Sequence, residues 1–168
     1  GSGDAITGTV TITGVNPTNS ELQTINNSVA GTVVIPNKTI ALTGTAANLV
    51  EILAGTIQDG SGDAITGTVT ITDSNPNATQ LKTINDAVAG TVVIPNKTVT
   101  LSGSATNLAA ALAGTVQDGS GDSITGTVTI TGDKPTASQL KTINDSVAGT
   151  IVIPDKTVAL TGSASVVS

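Results

Sequence analysis

The string GSGD begins at Gly1, Gly60 and Gly119, an offset of 59 residues each time, and the text that follows it recurs almost unchanged. AITGTVTIT at Ala5–Thr13 returns as Ala64–Thr72 and, as SITGTVTIT, at Ser123–Thr131. GTVVIPNKT at Gly31–Thr39 returns at Gly90–Thr98 and, as GTIVIPDKT, at Gly149–Thr157. A chain that repeats itself at this period folds as copies of one supersecondary unit, each too small to bury its apolar face alone. The units are residues 1–59, 60–118 and an incomplete third, 119–168.

Each unit carries a weaker half-repeat. The strand signal TVTIT at Thr9–Thr13 has a counterpart 30 residues later, TIALT at Thr39–Thr43, and the next begins 29 residues on at Thr68. In TVTIT the threonines point one way and Val10 and Ile12 the other, which predicts a half-buried strand. In PTNSELQTINNSVAG, Thr18 with Glu21 three residues on forms a capping box. Leu22, Ile25 and Val29 then make an apolar stripe at helical spacing, and Gly31 is placed as a C-terminal cap. Asn77 with Gln80 and Thr136 with Gln139 repeat the box. A second, shorter helix is expected at Ala46–Ala54 and again at Ala105–Ala113.

These elements predict an α/β repeat protein: a solenoid of strand–helix–strand half-units of about 30 residues, with equivalent strands stacked in parallel. The alternative is a string of βαββαβ beads with IPNKT as a hairpin turn and QDGSGD as the linker. In the solenoid, strands spaced by roughly 4.8 Å sit under helices that need about 8–10 Å each. Such a rod must curve or stagger its helices. No atypical cap protects the start, and SASVVS replaces SATNLAAAL where a helix is due. The chain reads as a mature product or an excised piece, and open end layers favour head-to-tail or lateral self-association.

Composition narrows the chemistry. There is no Cys, Met, Trp, Tyr, Phe or His, the six basic residues are all Lys, and the net charge is −6. The core must be built from Val, Ile, Leu and Ala. A thiolate nucleophile, an imidazole proton shuttle and an arginine phosphate clamp are all missing. With no basic patch or aromatic stacking platform, nucleic acid is a poor partner. No apolar run approaches the roughly 20 residues of a membrane helix, so no membrane span is expected. Absence of Cys suits an exported protein that does without disulfides.

Two features are candidate sites. In QDGSGD, Asp59, Ser61 and Asp63 alternate with other residues, as do Asp118, Ser120 and Asp122. Alternating oxygen side chains among glycines suit a Ca²⁺ ion, which takes six to eight oxygens. Ala64 and Thr70, however, stand where an EF-type loop needs its glycine and its bidentate glutamate. A solvated Asp/Gly/Ser turn is the plainer reading. No cofactor is required, and calcium is the one candidate. The second feature is the threonine ladder formed by Thr9, Thr11 and Thr13 with Thr68, Thr70 and Thr72 and with Thr127, Thr129 and Thr131. Regular hydroxyl rows suit ice or polysaccharide, yet Thr is also a favoured residue of any solvent-facing strand, and Ala41 and Ala159 interrupt the rows. Asn37 and Asn96 (NKT), Asn26 (NNS) and Asn77 (NAT) match N-glycosylation acceptors. Glu21 and Glu51 are the only glutamates, and neither recurs.

Thr136–Ala164, TASQLKTINDSVAGTIVIPDKTVALTGSA, and Asn107–Thr131, NLAAALAGTVQDGSGDSITGTVTIT, resemble tandem repeats of very large secreted surface proteins of cyanobacteria and other bacteria. Those arrays are Thr/Asp/Gly-rich, nearly free of aromatics and often grouped with RTX-type adhesins. The resemblance covers essentially the whole chain without a diagnostic motif. It implies an extracellular or cell-surface scaffold, a stalk segment or a filament subunit, meeting glycan or another surface ligand, and no enzyme. The alternative is a threonine-face binding module with calcium-stabilised loops.

Overall fold

A computed structural model describes residues 5–13, 17–37, 39–54, 57–58, 64–73, 75–96, 98–113, 116–117, 123–132, 134–155 and 157. Within them the chain is mixed α/β. In unit 1 the elements are β1 (Val10–Thr11), α1 (Asn19–Ser28), β2 (Val33–Val34), β3 (Leu42–Gly44), α2 (Ala46–Ala54) and β4 (Ile57–Gln58). Unit 2 repeats them as β5 (Val69–Ile71), α3 (Ala78–Ala87), β6 (Val92–Val93), β7 (Leu101–Gly103), α4 (Ala105–Leu112) and β8 (Val116–Gln117). Unit 3 contributes β9 (Val128–Ile130), α5 (Ala137–Ser146) and β10 (Ile151–Val152).

The three longer helices begin as their capping boxes dictate. Thr18, Asn77 and Thr136 each accept from the backbone of the third helical residue, and Glu21, Gln80 and Gln139 reach back to the cap's own N–H. Two otherwise orphaned donors are thereby satisfied at each start. The shorter helices use a simpler cap: Thr45 Oγ1 accepts from Asn48 N (3.3 Å) and Ser104 Oγ from Asn107 N (3.3 Å). Asp73 adds a cap across the unit boundary, taking the N–H of Ala46 at 2.6 Å.

Gly31 is not the helical cap that its position suggests. Helix α1 ends at Ser28, and Val29 turns extended to bridge Ile6 in parallel, as Val88 does with Ile65 and Val147 with Ile124. The glycine serves a close approach of two backbones instead. A Cβ on Gly31 would stand 2.1 Å from Gly8 O, and on Gly90 2.1 Å from Gly67 O.

All strand pairings among the described residues are parallel. The sheets have the orders β1-β2-β4, β3-β5-β6-β8 and β10-β9-β7. The threonine strands therefore do not simply stack on one another. β5 takes β3, its half-unit counterpart from the preceding unit, on one side, in the register Leu42↔Val69. On its other side lies β6 of its own unit, in the register Val69↔Val92. The IPNKT segments join strands of different sheets, β2 to β3 and β6 to β7, and close no hairpin. Each sheet after the first thus borrows an edge strand from the unit before it.

The helices pack in chain order, α1 on α2, α2 on α3, α3 on α4 and α4 on α5. The core lies between them and the strands and is wholly small aliphatic: Leu22, Leu49, Ile52, Val69, Ile71, Leu81, Ile84, Val92, Leu101, Leu108 and Val128 are completely buried. Burying each such side chain contributes about 1.5–3 kcal/mol, so regular layering replaces the bulk of aromatics. One irregularity stands out. Asn19 occupies the position of Ala78 and Ala137, lies against Gly44, and leaves its buried Oδ1 without a partner among the described residues.

Candidate functional site

The six loop residues singled out for calcium, Asp59, Ser61, Asp63, Asp118, Ser120 and Asp122, lie outside the described residues. Among the described residues no cluster of three or more acidic or other metal-ligating side chains occurs. The threonine face is described in full. Strand alternation turns Val69 and Ile71 inward, leaving Thr68 and Thr72 exposed and Thr70 half-buried; Val128 and Ile130 do the same for Thr127, Thr129 and Thr131. In unit 1 all of Thr9, Thr11 and Thr13 are exposed.

Register decides what these hydroxyls stand beside. In the four-stranded sheet the row runs Thr43, Thr70, Val93, Gln117. The third sheet gives Ser102, Thr129, Val152, and the first gives Thr11, Val34, Gln58. Hydroxyls therefore come in pairs that end on a valine, not in rows nine threonines strong. Val34 and Val93 are half-buried and Val152 is 37% exposed, so the face mixes methyl and hydroxyl groups. The interrupting residues are these valines. Ala41, also exposed, precedes β3, and Ala159 lies outside the described residues.

The NKT segments are Asx turns. Asn37 Oδ1 accepts from Thr39 N at 3.1 Å and Thr39 Oγ1 at 3.0 Å, and Asn96 does the same with Thr98. Asp155 makes the equivalent turn with Thr157, and those two hydrogen bonds, the hydroxyl's first, hold its carboxyl below the usual aspartate range. Asn77 is committed to capping α3, and the Asn26 amide reaches Glu51 O at 3.5 Å.

The helical side is tied together by polar links between successive helices. Gln23 donates to the Glu51 carboxylate, Asn107 Nδ2 to Thr79 Oγ1 (3.1 Å), Gln139 Nε2 to Thr106 Oγ1 (3.0 Å), and Ser146 Oγ to Leu112 O (2.9 Å). The charged pairs Lys82–Asp86 and Lys141–Asp145 are exposed and bind within one helix. None of these contacts gathers an acid, a base and a nucleophile in one place. What the geometry builds instead is a pair of long surfaces, one of Thr and Val, the other of neutral polar groups that couple each helix to the next.

Comparison with protein-family models, curated proteins and solved structures finds no match to this chain. Among the described residues no helix is long and apolar enough to cross a membrane.

Proposed function

We propose that the chain is a structural repeat segment, an α/β solenoid whose work is to extend and to display a surface, in an extracellular stalk or filament. The observation that carries this reading is strand exchange between units: β3 completes the sheet of unit 2, and β7 completes that of unit 3. Units joined in this way share a core and bend as one body, as a stalk requires, whereas beads on flexible linkers do not. The layers also match in length. Each full unit supplies four strands and two helices. Four strands advance by about 19 Å and two helices by about 16–20 Å, which removes the need for a sharp curve.

The resemblance to secreted surface arrays supplies the expected place, outside the cell. Neutral polar helices and a Thr/Val face with few charges suit display toward solvent, glycan or neighbouring chains. An antibody raised against the chain tests the location. It should label intact producing cells or shed filaments, and labelling only after permeabilisation sinks the reading.

A further inference from the structure

The sharpest asymmetry in the molecule lies between three copies of one surface. Thr7–Thr13, TGTVTIT, is identical to Thr66–Thr72 and Thr125–Thr131. In unit 2 this strand is covered by the preceding IALTG segment: Leu42 N donates to Thr68 O at 3.1 Å, and Thr72 N donates to Gly44 O at 2.9 Å. In unit 3 Leu101 N and Gly103 O repeat both bonds with Thr127 and Thr131, at 3.0 and 2.8 Å. The fit is so close that a Cβ on Gly67 would stand 1.8 Å from Ile40 O, and one on Gly126 1.8 Å from Val99 O.

Unit 1 presents the same edge with nothing laid over it among the described residues. Ile6 is 55% exposed where Ile65 and Ile124 are 1% and 0% exposed, and Val10 and Ile12 are half-buried where their counterparts are sealed. A Cβ on Gly8 would meet nothing within 4 Å. Exposed strand edges of this kind are templates for pairing, and strand addition is a standard mode of recognition.

The sequence contains the matching segment a third time. KTVALTGSA at Lys156–Ala164 aligns with KTIALTGTA at Lys38–Ala46 and KTVTLSGSA at Lys97–Ala105. Two of the three pairings are made within the described residues, β3 on β5 and β7 on β9. The third partner strand is β1, and the third segment is Thr157–Gly162.

We infer that the open edge of β1 takes up Thr157–Gly162 of a second copy of the chain, so that copies join head to tail through the junction already used between units. The inference rests on the repeat-array reading and names its partner. Leu160 enters at the place of Leu42 and Leu101, both buried at 1% and 0% exposure, and covers Ile6, Val10 and Ile12. Thr9 O and Thr13 N gain the two backbone bonds that Thr68 and Thr72 make.

Sedimentation velocity of the 168-residue chain over a wide concentration range is the test. Wild type should give a concentration-dependent ladder of oligomers. Gly8→Val fills space that is empty in the single chain, at a glycine whose φ is not positive. It should keep the circular dichroism and melting profile of dilute wild type while weakening association at least about 100-fold. Leu160→Asp should do the same from the other end. An equimolar mixture of the two should form one dimer and nothing longer, because one variant keeps an intact segment and the other an intact edge. A wild type that stays monomeric throughout, or a Gly8→Val chain that assembles like wild type, overturns the inference. If such a monomer still lengthens in proportion to added units, the array reading survives and only the junction fails.

Discussion

Gly8, Gly67 and Gly126 occupy one position in three units and have different surroundings, which gives an internal control. Gly67→Ala and Gly126→Ala each press a methyl group into a carbonyl oxygen at 1.8 Å. Backbone must move to relieve that contact, and overpacking of this kind costs about 1–3 kcal/mol. Gly8→Ala meets open space and should change urea stability by less than about 0.5 kcal/mol. Equal losses at all three positions would show that chain conformation, not the neighbouring strand, sets the preference for glycine. Glu21 offers a second residue-scale test. The backbone N–H of Thr18 and then its hydroxyl donate to the carboxylate, both at 2.8 Å, and hold its pKa below the usual glutamate value. A group whose folded pKa is depressed contributes stability that is present above its unfolded value and lost as pH falls through its folded value. Units 2 and 3 carry Gln80 and Gln139 in this role, and these do not titrate. In Glu21→Gln, amide exchange in α1 should therefore lose its acid dependence below about pH 4.3, while α3 and α5 stay unchanged. Persistence of the same acid loss in the variant would rule out the capping carboxylate as its source.

At the scale of elements, neighbours on both sides separate inner helices from end helices. Leu81 of α3 lies between α2 and α4 and is fully buried, whereas Leu140 of α5, which packs on α4, is half-buried. Leu81→Ala should cost about 2–5 kcal/mol and Leu140→Ala about half that or less, read as the shift in urea midpoint at constant slope. Equal costs would mean that the helix row is not what buries these residues. The sequence shows the helices plainly because their signals are local: a cap, a box partner three residues on, and an apolar stripe. The alternation in TVTIT is equally local, and the inward Val and Ile follow from it. Strand partners are not local. The two-residue strands Val33–Val34 and Ile57–Gln58 are too short to show a period, so their place between the threonine strands could not be read. The threonine rows were misjudged for that reason, since Val34 and Val93 interrupt them through pairing. Gly31 shows a second limit. A glycine after a helix serves a left-handed cap or a close backbone approach equally well, and only the position of Gly8 distinguishes the two.

For the whole molecule, strand exchange makes stability and length properties of the array. Each interior unit receives an edge strand from one neighbour and gives one to the next, so its stability contains an interface term as well as its own core. A chain lengthened by one further copy of residues 60–118 adds two helices, four strands and one more exchanged strand. Its longest dimension in small-angle scattering should grow by about 16–20 Å, the spacing of two packed helices, and by the same increment for each later copy. The cross-section should stay constant, because the added residues enter at the repeat junction and not around it. Independent beads behave differently: their flexible linkers make the mean length rise as a fractional power of unit number, and the apparent cross-section spreads. Denaturation separates the two pictures as well. Coupled units should raise the urea midpoint as interior units come to outnumber end units, whereas uncoupled beads should unfold at one midpoint whatever their number. A constant midpoint together with sublinear growth in length would remove the solenoid and, with it, the mechanical role argued for this chain.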